Sequence, residues 1–310
     1  MNWTALFGTY TENKNEIIFK GKKVILENEE TRSEYANIMS DQYFSGGKIS
    51  AEISFKKIDP NLATQCEIII FYDPDTRNFL SAGIGGSFNM YSVRSFSNKW
   101  ENHALSGTYA NLKANKFYKL EVEVKGSTVT LTVDGITVLV TTLPFVIPIS
   151  QVGLFCLGTD DITIRNYKIH SERPKAFVVM QFSSPFNELY QDVIKPICDE
   201  CKLNVLRADE TYGPGLIIAD ITKEISESRI VIAEVSPTNS NVYYEVGYAH
   251  ALNKPTILIA EKGVKLPFDV SPFRTLFYEN SIAGKKLVEE GFRKHIKAVL
   301  SDRDFLTNKL

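Results

Sequence analysis

The chain of 310 residues predicts two units of different class: an all-β sandwich, then an α/β unit built on a parallel sheet. Three observations predict this. Residues 1–172 are dense in alternating β-branched and aromatic runs, with turn signals between them and almost no helical periodicity. Residues 173–310 instead alternate short continuous apolar runs with helix-period segments, the pattern of strands buried on both faces. The length is about twice that of an ordinary domain, which favours two.

In the first unit the strand segments are GGKISAEISFKKI, CEIIIFYD, FNMYSVRSF, YKLEVEVKG, STVTLTVDGITVLVTTL, VGLFCLG and ITIRNYKIH. Asp134-Gly135 is a two-residue hairpin signal, because both positions of the favoured turn need positive φ. Glu121 and Glu123 alternate as solvent-face charges, and the Asp73/Asp75 and Asp160/Asp161 pairs sit in turns. None of these makes the paired carboxylates that glycan cleavage requires. Trp100, Tyr91, Phe96 and Tyr109 are compatible with an aromatic platform for a sugar or a partner, but core or rim packing is the stronger reading.

At SERP, residues 171–174, the alternation stops. AFVVMQF, LNVLRA, RIVIAEV, PTILIAE and RTLFYE are then five strands. They are separated by the helices NELYQDVIKPICDECK, LIIADITKEISES and VYYEVGYAHALN and closed by GKKLVEEGFRKHIKAVL. Pro196 is expected to kink the first helix or shift its boundary. The simplest sheet is in flavodoxin-like order 2-1-3-4-5, with its switch point between strands 1 and 3. Ligands bind at the carboxyl ends of such strands, so three loops should converge on one site. They carry Gln181, Phe182 and Ser183; Arg207, Asp209, Gly213 and Gly215; and Asn239, Asn241, Tyr243, Tyr244 and Glu245. Glu245, expected in the first turn of its helix, should be held ionised by the helix dipole.

Net charge is −2 and no Lys/Arg-rich run appears, which disfavours nucleic acid as the main partner. The first residues lack a basic segment followed by an apolar core, and no apolar run reaches membrane-spanning length. A cytoplasmic, non-membrane protein is therefore expected. Cys198 and Cys201 form a CxxC with no second pair to complete a metal site, so no metal is expected. The absence of GxGxxG and Walker motifs disfavours a dehydrogenase or NTPase.

The order of features in the first unit resembles the concanavalin-like jelly-roll superfamily, laminin-G-like domains in particular. The matching pieces are Trp3 with Gly8, GGKISAEISF, YKLEVEVKGSTVTLTVDGITV and QVGLFCLGTDDITIRNYKI. The resemblance implies a recognition or assembly module with a carbohydrate or protein ligand. In the second unit, FVVMQFSSPFNELYQDVIKP, RADE, DITKEISESRIVIAEVSPTNSNVYYEVGYAHALNKP and LPFDVSPFRTLFY resemble a bacterial TIR-like family allied to nucleoside 2-deoxyribosyltransferases.

That second resemblance implies a glutamate at position 245 acting at the anomeric carbon of a nucleoside, or in cleaving nicotinamide from NAD. It also implies a homo-oligomer and a role in bacterial immune or stress signalling, with NAD or a nucleotide as substrate and no resident cofactor. The sequence departs from both patterns: tyrosines stand where active TIR domains carry Trp-Cys, and no Asp-Gly-Thr-like run precedes Glu245.

In such a site Asn239 and Asn241 would hydrogen-bond ribose hydroxyls, Tyr243 or Tyr244 would stack on a base, and Arg207 would meet a phosphate. Each residue keeps a local alternative: loop and N-cap roles for the asparagines, mutual packing for Tyr244 and Tyr248, a dipole role for Glu245. Two other functions stay open, a non-catalytic nucleotide sensor or scaffold and a nucleoside 2-deoxyribosyltransferase proper. Glu234, inside a strand run, needs a partner such as Arg229 or a loop amide.

Overall fold

The computed structural model describes residues 1–13, 15–27, 29–59, 61–86, 88–210 and 217–301. The first unit begins with β1 (Trp3–Phe7), β2 (Tyr10–Asn13), β3 (Glu16–Phe19), β4 (Lys23–Ile25) and the long β5 (Thr31–Phe44). β6 (Gly47–Phe55), β7 (Thr64–Tyr72), β8 (Phe79–Gly86), β9 (Tyr91–Ser97) and β10 (Lys99–Ser106) follow. It closes with β11 (Phe117–Lys125), β12 (Thr128–Val133), β13 (Ile136–Thr142), β14 (Ser150–Gly158) and β15 (Ile162–Ser171). These strands form two antiparallel sheets, in orders β1-β5-β14-β7-β8-β9-β10 (with β4 beside β5) and β13-β12-β11-β6-β15-β3-β2. This is the all-β sandwich that the alternation predicts.

The alternation sets which face is dry. On β11, Tyr118, Leu120, Val122 and Val124 enter the inter-sheet core, while Lys119 and Glu121 pair on the other face at 3.0 Å. A one-residue slip would exchange the two sets, so burial fixes the register. Each large aliphatic side chain so buried contributes about 1.5–3 kcal/mol. Asp134 and Gly135 both adopt positive φ, 50° and 82°, as a tight turn between β12 and β13 requires.

After Ser171 the chain enters β16 (Lys175–Val179), then α1 (Phe186–Leu189), a π-helical turn (Tyr190–Ile194) and α2 (Lys195–Glu200). β17 (Asn204–Arg207), α3 (Ile217–Glu227), β18 (Ile230–Glu234), α4 (Ser240–Ala251), β19 (Thr256–Glu261), β20 (Thr275–Tyr278) and α5 (Ile282–Ser301) complete it. The five strands are parallel, in order β17-β16-β18-β19-β20. Both faces are covered, which explains the unbroken apolar runs. Val178, Ile232 and Ile259 face Val193, Ile197 and Phe292 on one side. Val179, Ala233 and Leu258 face Ile225, Val242 and Val246 on the other.

The single helix expected over NELYQDVIKPICDECK is three consecutive segments. Pro196 has no amide hydrogen to donate to a preceding turn. The chain widens into a π turn and restarts with Pro196 in the first turn of α2, where the missing donor would be unpaired in any case.

The sandwich seats against the amino ends of the parallel strands. Ser127 N donates to Ser226 O at 3.1 Å, and Asn253 Nδ2 donates to Pro144 O at 2.9 Å. Two buried cations complete this seam: Arg229 Nη1 donates to Ile147 O at 2.9 Å, and Lys254 Nζ donates to Ser226 O and Ser228 O at 2.6 Å each. Burial lowers Arg229 to about 10 and Lys254 to about 7. Gly126 sits at φ +57°, and a Cβ there would lie 2.5 Å from Ser228 O, so the approach requires glycine. Among the described residues no helix is long and apolar enough to cross a membrane.

Candidate active site

Parallel pairing brings the carboxyl ends of β17, β16 and β18 side by side. α4 follows the third of these ends. Asn239 is its N-cap: the backbone is extended, at φ −116° and ψ 115°, and the side chain accepts from Asn241 N at 3.0 Å. Asn239 is thus committed to starting the helix, whereas the exposed Asn241 side chain carries no cap bond.

This start places Glu245 in the second turn, one turn later than the sequence suggests, and α4 has no acidic residue in its first turn. The expectation of an ionised, dipole-held carboxylate fails for the same reason. The dipole's influence fades within the first turn, and Glu245 lies on the packed face between Val242 and Val246 with Ala249 one turn on. Its residual exposure is 7%, and burial pushes its carboxyl up to about 7. Among the described residues it has no hydrogen-bond or ion-pair partner.

The two tyrosines before it divide. Tyr243 packs into the core beneath α4 and donates its hydroxyl to Val235 O at 3.1 Å, tying the helix to the end of β18. Tyr244 is 54% exposed, free to meet a ligand face. Tyr248, four residues on, packs against the core beneath the helix. His250, further along α4, stacks on Phe273 with ring centroids 4.3 Å apart.

The loops after β16 and β17 form a second cluster. Arg207 is buried and held in plane: Nε and Nη2 donate to the two carboxylate oxygens of Asp209 at 2.6 and 2.7 Å. Nη1 donates to Asn187 Oδ1 at 2.8 Å. The guanidinium lies 4.5 Å from the Tyr190 ring and 5.3 Å from the exposed Phe182 ring. Gln181 Nε2 donates to Ser183 Oγ at 2.9 Å. The bidentate pair occupies the fork expected to meet a phosphate, so Arg207 would have to share it. Among the described residues no hydrogen bond, ion pair or ring contact joins this cluster to Glu245. Gly213 and Gly215, expected to close over the site, lie outside the described residues.

Comparison with known proteins adds the following. No family model matches the chain, and no curated protein matches it. Among solved structures it is similar to a carbohydrate-binding module from Bacillus subtilis, at 17% identity and a TM-score of 0.44, over 53% of this chain and 92% of that one. It is also similar to a Bacillus subtilis protein of unknown function with a galectin-like fold, at 12% identity and a TM-score of 0.38, over 53% and 98%. The catalytic domain of an endo-1,3-beta-glucanase from Thermotoga petrophila is a third, at 12% identity and a TM-score of 0.35, over 54% and 90%. Each likeness spans about half of this chain and bears on none of the chemistry at the parallel-sheet edge.

A second acid stands at that edge. Glu234 ends β18 with no exposure, and burial pushes its carboxyl up to about 7. Ser236 donates to Glu234 Oε1 from its hydroxyl and from its amide, the latter at 3.2 Å, and Tyr278 OH adds a contact at 3.4 Å. The loop amide, not Arg229, is therefore its partner; Arg229 lies at the other end of the strand. Glu234 Oε2 has no partner among the described residues. The sequence signal for Glu234 is an acidic residue near the end of an otherwise apolar run, RIVIAEV. Burial raises the thiols of Cys198, to about 12, and of Cys201, which disfavours their reactive thiolate forms.

Proposed function

We propose that the parallel-sheet unit cleaves the N-glycosidic bond of NAD or a related nucleotide, with Glu245 as the group beneath the ribose. The carrying observation is a buried carboxyl, without a partner among the described residues, at the carboxyl edge of the sheet. A carboxyl near pH 7 is ionised in a large fraction of molecules at neutral pH, yet its charge is poorly solvated. It gains most when positive charge develops beside it. Breaking the C1′–N bond sends the electron pair out with nicotinamide and leaves an oxocarbenium-like ribosyl group. The Glu245 carboxylate stabilises that cation, directly or as a covalent ester, and water then adds at C1′ and loses its proton.

On this reading residues 173–310 form a TIR-like, flavodoxin-like domain related to nucleoside 2-deoxyribosyltransferases. Residues 1–172 form a concanavalin-like recognition or assembly domain. Tyr244 offers an exposed face for a base, and Phe182 with the Arg207–Asp209 pair would meet the remainder of the substrate. Assembly into homo-oligomers and a role in bacterial immune signalling belong to the same proposal.

The test is release of free nicotinamide from NAD by concentrated full-length protein, compared with the Glu245→Gln variant. Wild-type release that falls by at least about 100-fold in the variant is expected. Base exchange with a free acceptor base would instead identify a transferase, and a bound nucleotide recovered intact would identify a sensor. No release by the concentrated wild type overturns the reading.

A further inference from the structure

Solvent-facing positions of a sandwich sheet are ordinarily polar, but part of the outward face of the eight-stranded sheet is apolar. Alternating away from the inter-sheet core, Phe79, Phe155 and Phe96 form an apolar floor with Met39 and Ile69. A cavity of about 730 Å³ opens over this floor, within the range of about 300–1,000 Å³ of small-ligand sites. Trp100 stands at its wall, 37% exposed, edge-on to Phe79 and Phe155 at interplanar angles of 86° and 67°.

The charges around the cavity are of one sign. Arg32, Arg77 and Arg94 line it, with the amides of Asn37 and Gln65, and no Asp or Glu does. Glu67, on the same face of β7 as Gln65 and Ile69, is fully buried and already satisfied. Ser81 and Ser92 hydroxyls donate to it at 2.7 Å each, and Arg94 Nε pairs with it at 2.8 Å. That pair and the Trp100 ring, 3.9 Å from the guanidinium, fix Arg94 in place. Among the described residues, three buried polar atoms of the cavity lining have no hydrogen bond, Arg94 Nε, Arg94 Nη2 and Asn37 Oδ1, and Arg94 Nε is held instead by its ion pair with Glu67. Arg32 and Arg77 line the cavity as exposed side chains, so an anion can reach their guanidinium groups.

We propose that this cavity binds an acidic saccharide, one carrying a carboxylate or a sulfate. Guanidinium groups take the anion, the amides take ring hydroxyls, and single aromatic faces take the C–H face of a sugar ring. A flat base is disfavoured by the ring geometry. Phe79 stacks on Phe96 and on Phe155 with centroids 5.6 Å apart, which leaves no slot between parallel rings, and Trp100 crosses them edge-on. The site lies on the sandwich and does not depend on the activity proposed for Glu245.

The experiment is calorimetric titration of the full-length protein with oligogalacturonate, a hyaluronan tetrasaccharide and a chondroitin sulfate tetrasaccharide, against maltotetraose and AMP. At least one acidic oligosaccharide should bind about tenfold or more tightly than maltotetraose, and added salt should weaken it. Arg32→Gln/Arg77→Gln changes two exposed side chains, so the fold should persist while acidic binding falls about tenfold or more. Trp100→Ala should weaken binding without changing its salt dependence. The proposal is overturned if no acidic oligosaccharide binds, if maltotetraose binds equally well, if AMP binds in preference, or if the double-arginine variant binds as the wild type does.

Discussion

Replacing Glu245 by Gln should stabilise the protein at neutral and alkaline pH, by an amount the structure sets. Burial moves the carboxyl from its ordinary 4.5 to about 7, which places roughly 3 kcal/mol on ionising it in the folded state. Below about pH 4.5 the group is protonated folded and unfolded alike, and wild type and variant should differ little. As pH rises toward 7 the unfolded chain loses this proton while the folded chain keeps it, so wild-type stability falls. Above about pH 7 the whole penalty is present, and the isosteric amide, which cannot ionise, escapes it. Urea titrations of the two proteins across this range should give a difference that grows from near zero to roughly 2–3 kcal/mol and then levels off. Glu234, also raised to about 7, titrates in the same window in both proteins and cancels from the difference. A difference that does not change with pH, or a variant less stable than wild type at high pH, would refute the reasoning. A gain in stability coupled to loss of nicotinamide release would mark Glu245 as a group kept for chemistry.

Three further outcomes follow from local contacts. Asn239→Ala removes the side-chain cap of α4 and should lower stability by about 0.5–2 kcal/mol in thermal or urea unfolding. Ser236→Ala strips Glu234 of its hydroxyl donor and leaves Glu261 N, now bonded to that hydroxyl at 2.6 Å, without a partner. A loss of about 1–3 kcal/mol by urea unfolding is expected. Gly126→Ala forces a side chain into positive φ and against Ser228 O. It should loosen the seam between the units, seen as faster proteolysis near residues 172–174 and a lower Tm, while the sandwich keeps its far-UV signal.

What could be read from the residues alone was the part governed by local pattern. Unbroken runs such as RIVIAEV mark strands covered on both faces, and YKLEVEVKG marks one covered on a single face; both settle as the pattern implies. Asp134-Gly135 forms its turn because turn chemistry needs no distant partner. The environment of Glu245 was not legible in this way. Its place on α4 depends on which asparagine caps the helix, and its protonation depends on Val242, Val246 and Ala249 pressing against the sheet. The cavity on the sandwich was hidden for a related reason. Its lining comes from outward positions on strands far apart in the chain, so Phe96 and Trp100 looked like ordinary packing residues. Tyr91 and Tyr109, grouped with them in the sequence, pack on the opposite, inter-sheet side.

The seam between the units sets a limit on how they can speak to each other. Ser127, Pro144 and Ile147 of the sandwich grip the amino ends of the parallel strands, whereas Glu234 and α4 lie beyond the carboxyl ends. Five residues of β18 separate the two rims, roughly 16 Å of fully buried strand. Among the described residues the hydrogen bonds between the units lie at the amino rim, so any influence of a sandwich ligand on Glu245 would have to cross that seam.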